Sequence, residues 1–231
     1  MNIDLNCDMG ENIGNDGEIM PYITSANIAC GFHAGDSKTM RATVRLAKTH
    51  GVHVGAHPSW LDVEGFGRRE MSLPMDEVEA LILYQVGALA ALAKAEGVEL
   101  IHVKPHGAIY NQAAQDRELA NAIARAVKNF SEDLILVGLA GSRLIEAGVE
   151  VGLRVANEGF PDRNYNPDGT LVSRKQSNAI IESPDEVARH ALELMRAGVL
   201  FEGKRFQVDT LCLHGDHPRV VENAKLIRGL L

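Results

Sequence analysis

The sequence has few cysteines, and none has the spacing of ligands in a structural metal site. Cys7, Cys30 and Cys212 lie far apart in the chain, whereas structural zinc sites use cysteine pairs at short spacing. An odd number of cysteines in a chain of 231 residues also argues against a disulfide framework. We therefore expect a reducing compartment, the cytoplasm, and a packing role for all three thiols.

An excess of positive charge and a long apolar run are also lacking. The formal net charge of -8 argues against binding to nucleic acid, which a basic face would favour. No apolar run approaches the length of a membrane-spanning helix. The first six residues have neither the basic start nor the apolar segment of a signal peptide. We therefore expect a protein that binds neither nucleic acid nor a membrane.

The sequence also lacks glycine-rich nucleotide-binding motifs. The glycines follow the predicted strands singly, and they match neither a phosphate-binding loop nor a dinucleotide fingerprint. The sequence therefore predicts no nucleotide site of its own.

What the sequence does contain is a repeated unit, in which an apolar strand ends in a histidine-containing turn. Four such turns carry His33, His57, His106 and His214. In a parallel sheet with helical crossovers, the carboxyl ends of the strands converge on one face, where ligands bind. The spacing therefore predicts that these imidazoles line one pocket, where neutral histidine can bind a metal or move protons.

The alternation of apolar strands with amphipathic helices predicts an α/β fold, a single-domain barrel or distorted (β/α) barrel over residues 1–231. We expect two long functional loops, 58–72 and 159–173, at the rim of the pocket, and a loop over the strand ends at 12–22. The predicted strands, about seven and all parallel, are 2–8, 26–30, 52–56, 101–105, 134–140, 153–158 and 210–213.

Helix ends carry their own signals in this sequence. We expect the helix that starts at Ser142 to close at Gly148. The run from Ser183 to Glu186 has the pattern of a capping box with proline at the first helical position.

Charged residues accompany the histidines at the predicted strand ends. Asp8 and Glu158 directly follow apolar strand residues, so either could act as a general base. Asp162 and Asp216 add carboxylates at the same face, although Asp216 could instead cap the last helix. Lys104 ends an apolar strand and needs an anion there. That anion is either a neighbouring strand carboxylate or a substrate carboxylate or oxyanion.

The sequence resembles the LamB/YcsF family, the family of 5-oxoprolinase A subunits. The longest matching block is TSANIACGFHAGD at 24–36. Other blocks cover the chain from end to end, at 4–11, 55–59, 65–69, 103–110, 162–174 and 211–216.

The resemblance implies a distorted seven-stranded barrel of the glycoside hydrolase and deacetylase type. It also implies ATP-dependent opening of 5-oxo-L-proline to L-glutamate, together with partner subunits B and C. ATP would be bound mainly by those partners, with Mg²⁺ as the expected divalent ion, and self-association stays open. Lys104 and an arginine would hold the substrate carboxylate or an oxyanion.

The residues expected to carry the chemistry fall into two groups, and no metal ligands are assigned. The expected catalytic residues are Asp8, His57, Lys104, His106, Glu158 and His214. The expected substrate-binding residues are Asn6, His33, Arg68, Arg69, Asp162, Arg163 and Asp216.

The sequence departs from the family pattern at three places. The loop after Glu11 is short, and Glu182 and Ser183 replace a His-Asp pair. The last turn, residues 216–219, has the sequence DHPR and lacks the usual threonine and glycine. These changes concern loop shape more than strand ends. Two other functions stay open: a metal-dependent carbohydrate deacetylase or amidase, and a non-catalytic substrate-binding subunit of a carbohydrate-utilisation system.

Overall fold

The computed structural model describes residues 3–231, which form a closed barrel of parallel strands surrounded by helices. This confirms the predicted fold class. Asn2, the predicted first strand residue, lies outside the described residues. The seven barrel strands are β1 (Asp4–Met9), β2 (Ser25–Ala29), β3 (His53–His57), β4 (Leu100–Val103), β5 (Ile135–Leu139), β6 (Arg154–Gly159) and β9 (Thr210–Leu213).

The helices lie mainly between successive strands. A two-stranded antiparallel sheet, β7 (Val199–Phe201) and β8 (Lys204–Phe206), precedes the last barrel strand. The helices are α1 (Asp16–Ile19), α2 (Ser37–His50), α3 (Met75–Ala95), α4 (Gly107–Ala113), α5 (Arg117–Phe130), α6 (Arg143–Glu150), α7 (Pro184–Ala197) and α8 (Val220–Arg228).

The barrel closes between the two ends of the chain. Strand β1 pairs with β2 on one side and with β9 on the other, so that Asn6 lies in register with both Ser25 and Cys212. Strand β9 also pairs with β6 through Glu158 and Thr210. Because every barrel pairing is parallel, all seven carboxyl ends open at the same end of the barrel.

The hydrophobic core lies outside the barrel, between the strands and the helices. Successive strand residues face opposite sides, and Leu5, Cys7 and Met9 of β1 belong to the buried apolar core. The alternate residues of β1 face the barrel interior and are polar. We call the polar interior side chains below the strand ends the polar column: Asp4, Asn6, Ser25, Asn27, His102 and Thr210.

Hydrogen bonds across the barrel satisfy the polar column. The Asp4 carboxylate accepts from Ser25 Oγ at 2.7 Å and from Thr210 Oγ1 at 2.6 Å. Asn27 Nδ2 donates to Asn6 Oδ1 at 2.7 Å, and Asn27 Oδ1 accepts from His102 Nε2 at 2.7 Å. Buried polar groups are costly unless paired, so this column depends on contacts between different strands of the barrel.

A glycine makes room for the imidazole in the polar column. A Cβ atom on Gly55 would lie 2.0 Å from His102 Nε2. The ring therefore occupies the space that a side chain on β3 would fill.

Helix α6 runs two residues beyond Gly148, where we predicted its end. A Cβ atom on Gly148 would lie 2.6 Å from Val155 Cγ1. The glycine thus allows close packing of the helix on β6. The positive φ of 77° falls at Gly152 instead, after the helix.

Three further local predictions need correction. The segment 12–22 contains α1 and a 3₁₀ turn at Met20–Tyr22. Helix α4 begins at Gly107, after the short turn that follows β4, and was not predicted. Ser183 is the N-cap residue of α7, but its side chain makes no capping hydrogen bond, so the expected capping box does not form.

Helix α3 corrects the expectation that no segment has the dimensions of a membrane span. By length and composition Met75–Ala95 could cross a membrane. In the barrel, however, α3 contacts α2, α5, β3 and β4. Its buried face includes Val78, Ile82 and Leu89. This packing is typical of a core helix in a (β/α) barrel.

Candidate active site

A buried group of ionisable side chains lies at the carboxyl end of the barrel. We call it the strand-end cluster. Its positions follow from the strands, since its members are inward-facing residues at strand ends or residues of the turns that follow. The members are Asp8, Glu11, His33, His57, Lys104, His106, Glu158 and His214, and all except the half-buried His214 are buried.

Lys104 lies between two carboxylates. Its Nζ is 2.9 Å from Asp8 Oδ1, 3.0 Å from Glu158 Oε1 and 2.8 Å from Cys212 Sγ. Burial alone would lower the pKa of Lys104, but Asp8 and Glu158 raise it well above its ordinary value. Lys104 is therefore a charged ammonium paired with strand carboxylates, one of the two arrangements that the sequence left open.

Asp8 is held in its charged form. Burial acts to raise the pKa of Asp8, yet His57 and Lys104 hold it well below its usual range. His57 Nε2 lies 3.3 Å from Asp8 Oδ1, which also accepts from Asn27 Nδ2 at 2.9 Å. A carboxylate stabilised in this way is a weak base, so Asp8 is better suited to fix neighbouring charges than to deprotonate water.

Glu158 uses both oxygen atoms in buried contacts. Oε1 accepts from Asn6 Nδ2 at 2.9 Å, and Oε2 accepts from Tyr110 Oη at 2.7 Å. Lys104 contacts the same carboxylate, so both oxygen atoms of Glu158 have buried partners. Asn6 therefore joins the polar column to the strand-end cluster.

Three imidazole rings form one side of the cluster. The rings of His33 and His106 stack with centroids 3.8 Å apart, and His106 Nδ1 lies 2.9 Å from His57 Nε2. Burial lowers the pKa values of His33 and His106 well below the usual range. These two rings are therefore neutral near pH 7.

Glu11 lies against the stacked rings. Its Oε1 is 3.1 Å from His33 Nε2 and 3.4 Å from His106 Nδ1. Burial, together with the charges of Asp8 and Asp216, raises the pKa of Glu11 well above its usual value. Glu11 therefore binds a proton more readily than an exposed carboxyl group.

His214 is oriented by Asp162. Its Nδ1 lies 3.0 Å from Asp162 Oδ2, and its backbone N–H donates to the same oxygen at 3.1 Å. The ring also stacks on Phe160. Since the carboxylate fixes the proton on Nδ1, Nε2 of the neutral ring carries a lone pair. An imidazole oriented in this way is suited to proton transfer.

Asp216 lies at the rim of the cluster, where two arginines bind it. Arg68 Nη2 is 2.5 Å and Arg174 Nη1 is 3.2 Å from Asp216 Oδ2. The N-cap residue of α8 is Arg219, so Asp216 does not cap that helix. Arg68 and Asp216 thus lie together at the edge of the buried site.

Two of the predicted substrate-binding arginines are engaged elsewhere. Arg69 Nε donates to Asp62 Oδ1 at 2.7 Å within its own loop. Arg163 donates to the carbonyl oxygens of Ala179 and Val172, at 3.1 and 2.6 Å. Burial lowers the pKa of Arg163 to about 10. These bonds organise the two long loops and do not bring either guanidinium group into the cluster.

Three groups in the site were not predicted from the sequence: Cys212, Tyr110 and Glu11. Cys212 was expected to be a packing residue, but it has the inward direction of Thr210 two residues earlier on β9. Tyr110 follows His106 by four residues on the unpredicted α4. Glu11 lies in the first family block without a strand pattern of its own.

Two sets of side chains have the chemistry of metal ligands. In each set, potential ligand atoms lie within 4.8 Å of one another. The sets are Glu11, His33, His57 and His106, and Asp8, Cys212 and His214.

Comparisons with known proteins agree with the matching blocks of the sequence. Residues 3–231 match the model of the LamB/YcsF family. A protein from Pyrococcus furiosus, named as the A subunit of 5-oxoprolinase, is 51% identical over 240 residues, covering 100% of this chain and 94% of the relative. A protein of the same name from Symbiobacterium thermophilum is 52% identical over 238 residues, covering 99% and 91%.

A solved structure gives the same result for the fold. The lactam utilization protein from Thermus thermophilus is 48% identical and superimposes with a TM-score of 0.90. The match covers 99% of this chain and 95% of that protein.

Proposed function

The chain belongs to the LamB/YcsF family, and on this premise we propose that it is the A subunit of a 5-oxoprolinase. In this function it takes part in hydrolysis of the lactam ring of 5-oxo-L-proline to give L-glutamate. The observation that carries the proposal is the identity of about half of all residues, over nearly the full length, with proteins of that name.

Opening a lactam requires three things of the site. The carbonyl oxygen must be stabilised as it gains charge, a water must lose a proton, and the ring nitrogen must gain one. The strand-end cluster contains a fixed cation in Lys104 and a carboxylate-oriented imidazole in His214. These groups support the proposal that this chain holds the lactam during hydrolysis.

Lys104 is our candidate for stabilising the developing oxyanion. Its ammonium group has three donors, and the acceptors around it include Asp8, Glu158 and the sulfur of Cys212. Sulfur is the weakest of these acceptors. We propose that a substrate oxygen competes for the donor that faces Cys212, while the two carboxylates keep the ammonium in place.

His214 is our candidate for moving protons. Asp162 fixes its tautomer, which directs the unprotonated Nε2 away from that carboxylate. A neutral imidazole can accept a proton from water and return it to the leaving nitrogen near neutral pH. Asp8 is less suited to this role because its neighbours hold it so firmly in the charged form.

The carboxylate of the substrate would bind at the rim. Arg68 and Arg174 share a single carboxylate partner, Asp216, so two cations face one anion there. A second carboxylate would complete the charge balance. We therefore propose that this arginine pair recognises the acidic group of 5-oxo-L-proline.

ATP and the B and C subunits belong to the proposal as well. The sequence has no phosphate-binding loop motif, so we propose that the partners bind ATP with Mg²⁺. The loops 58–72 and 159–173 are our candidates for docking these partners. The first loop exposes Leu61 and Val63 by 61% and 62%, as an interaction surface would.

The test is reconstitution. The purified chain would be assayed with ATP, Mg²⁺ and 5-oxo-L-proline, with and without candidate B and C subunits, and glutamate and phosphate would be measured. We expect glutamate only from the combined subunits. Full activity of the single chain would overturn the division of labour, and a stable complex that opens no lactam would overturn the function.

A matched pair of variants tests whether this chain takes part in the chemistry. His214→Gln in the reconstituted complex should abolish glutamate formation, whereas His53→Gln, at the exposed start of β3, should leave it unchanged. Normal turnover by a complex carrying His214→Gln would instead support a non-catalytic, substrate-binding subunit.

A further inference from the structure

Two imidazole nitrogens in the strand-end cluster face each other, and in the neutral rings neither of them carries a proton. His57 Nδ1 lies 2.7 Å from the carbonyl oxygen of Lys104. His106 Nε2 lies 2.9 Å from the carbonyl oxygen of Phe66. A carbonyl oxygen only accepts hydrogen bonds, so these two ring nitrogens carry the protons. In the neutral rings, lone pairs therefore remain on His57 Nε2 and His106 Nδ1.

These two lone pairs lie only 2.9 Å apart in a buried place. Further acceptor atoms surround them, since Glu11 Oε1 is 3.4 Å from His106 Nδ1 and Asp8 Oδ1 is 3.3 Å from His57 Nε2. Converging acceptors repel one another unless a cation lies between them. A metal ion bound at this point would remove the repulsion, and so would an added proton.

The arrangement has the features of a protein metal site. Histidine ligands of metals donate their second ring N–H to a carboxylate or a backbone carbonyl, which fixes the tautomer. Both rings do so here. Ligand atoms of a tetrahedral zinc site lie about 3.3 Å apart when the bonds are roughly 2.05 Å long. The separations of 2.9 and 3.4 Å lie on either side of that value.

We infer that His57 Nε2, His106 Nδ1 and Glu11 Oε1 bind one divalent first-row transition-metal ion. Two imidazoles and one carboxylate suit zinc and similar ions, and three protein ligands leave a position open for water or substrate. The inference rests on the hydrogen-bond geometry and is independent of the lactam substrate.

His33 has a different role from the three ligands. Its ring is stacked on that of His106 with an angle of 3° between the planes. Two rings stacked in this way cannot both direct in-plane lone pairs at one ion. His33 Nε2 instead lies 3.1 Å from Glu11 Oε1, so it donates to the carboxylate and positions it.

Metal binding can be measured directly, without any assay of turnover. The chain, prepared without a histidine tag and stripped with a chelator, would be titrated with Zn²⁺ by calorimetry. Protein prepared without chelator would be analysed for metals by mass spectrometry. We expect one ion per chain. A metal-free preparation that also fails to bind Zn²⁺ would overturn the inference. It would indicate that a proton, and not a metal ion, lies between the two imidazole nitrogens.

Variants separate the ligands from the positioning residue. His57→Ala, His106→Ala and the isosteric Glu11→Gln should each weaken Zn²⁺ binding by more than about 100-fold, and His33→Ala by about 10- to 100-fold. The exposed His53→Ala is the matched control and should bind as the wild type does. Circular dichroism of the metal-free variants checks folding. Unchanged affinity in the three ligand variants would overturn the site.

Discussion

The ammonium nitrogen of Lys104 lies 2.9 Å from Oδ1 of Asp8, and both side chains are buried. Removing one member of such a pair leaves an uncompensated charge in the interior. The neutral Lys104→Met should therefore destabilise the protein by about 3–5 kcal/mol. Denaturant unfolding, followed by circular dichroism, measures this difference.

The control for Lys104 is a lysine in an exposed pair. Lys128 is 3.0 Å from Glu132 on the surface, and Lys128→Met should change the free energy of unfolding by no more than about 0.5 kcal/mol. Equal effects of the two substitutions would show that the buried pair of Lys104 contributes no more to the free energy of unfolding than the exposed pair.

Gly55→Ala should disturb the polar column. The added Cβ would lie 2.0 Å from His102 Nε2, so the ring must move and its bond to Asn27 must break. We expect a loss of about 1–3 kcal/mol, as for overpacking elsewhere. Gly17→Ala is the matched control, because a Cβ there meets nothing within 4 Å. Thermal unfolding compares the two, and similar melting temperatures would contradict the predicted clash.

The Asp162–His214 pair predicts that the stability of the fold depends on pH in the acid range. Burial of Asp162 acts to raise its pKa, but His214 holds the value well below the ordinary one. A carboxyl group with a depressed folded-state pKa stabilises the fold above its unfolded pKa of about 3.9. It loses that contribution as pH falls toward the folded-state value.

Asp162→Asn should therefore be less stable than the wild type at pH 6, and the difference should shrink below about pH 4. Urea unfolding at a series of pH values measures it. A difference that stays constant from pH 6 to the acid limit would show that the ionisation of Asp162 does not contribute.

Two neighbouring arginines should differ in their effect on substrate binding. Arg68 shares Asp216 with Arg174 at the rim, whereas Arg69 is paired with Asp62 in its own loop. In the reconstituted enzyme, Arg68→Gln should raise KM for the lactam about tenfold or more, the effect of losing roughly one charge-assisted hydrogen bond. Arg69→Gln should leave KM within about twofold. Steady-state kinetics measure both KM values. A larger increase in KM for Arg69→Gln than for Arg68→Gln would reject Arg68 as the carboxylate-binding group.

Much of the fold was predictable because the strands are short apolar runs that end in recognisable turn residues. The predicted strand 134–140 and the observed Ile135–Leu139 differ by one residue at each end. The histidine turns were equally visible, since parallel strands place their carboxyl ends together. Helix α4 was not predicted because its seven residues are too few to show a helical period.

The site was less predictable wherever a role depends on a partner distant in sequence. Arg69 and Arg163 look alike as loop arginines, yet one binds a nearby carboxylate and the other binds two backbone carbonyls. Cys212 was assigned to packing by residue type, although its direction on β9 places its sulfur against Lys104. Direction along the strand would have been the better guide.

The closure of the barrel between β1 and β9 has a consequence for biosynthesis. Asp4 and Asn6 bond to Thr210, which leaves the ribosome more than two hundred residues later. Until then the first strand has polar side chains without their final partners, and non-local contacts of this kind form slowly. The nascent chain can build its helices early, but it cannot assemble the pocket before Thr210 has been synthesised. A ribosome that stalls ahead of residue 210 would therefore hold an open sheet that exposes both edges to its neighbours.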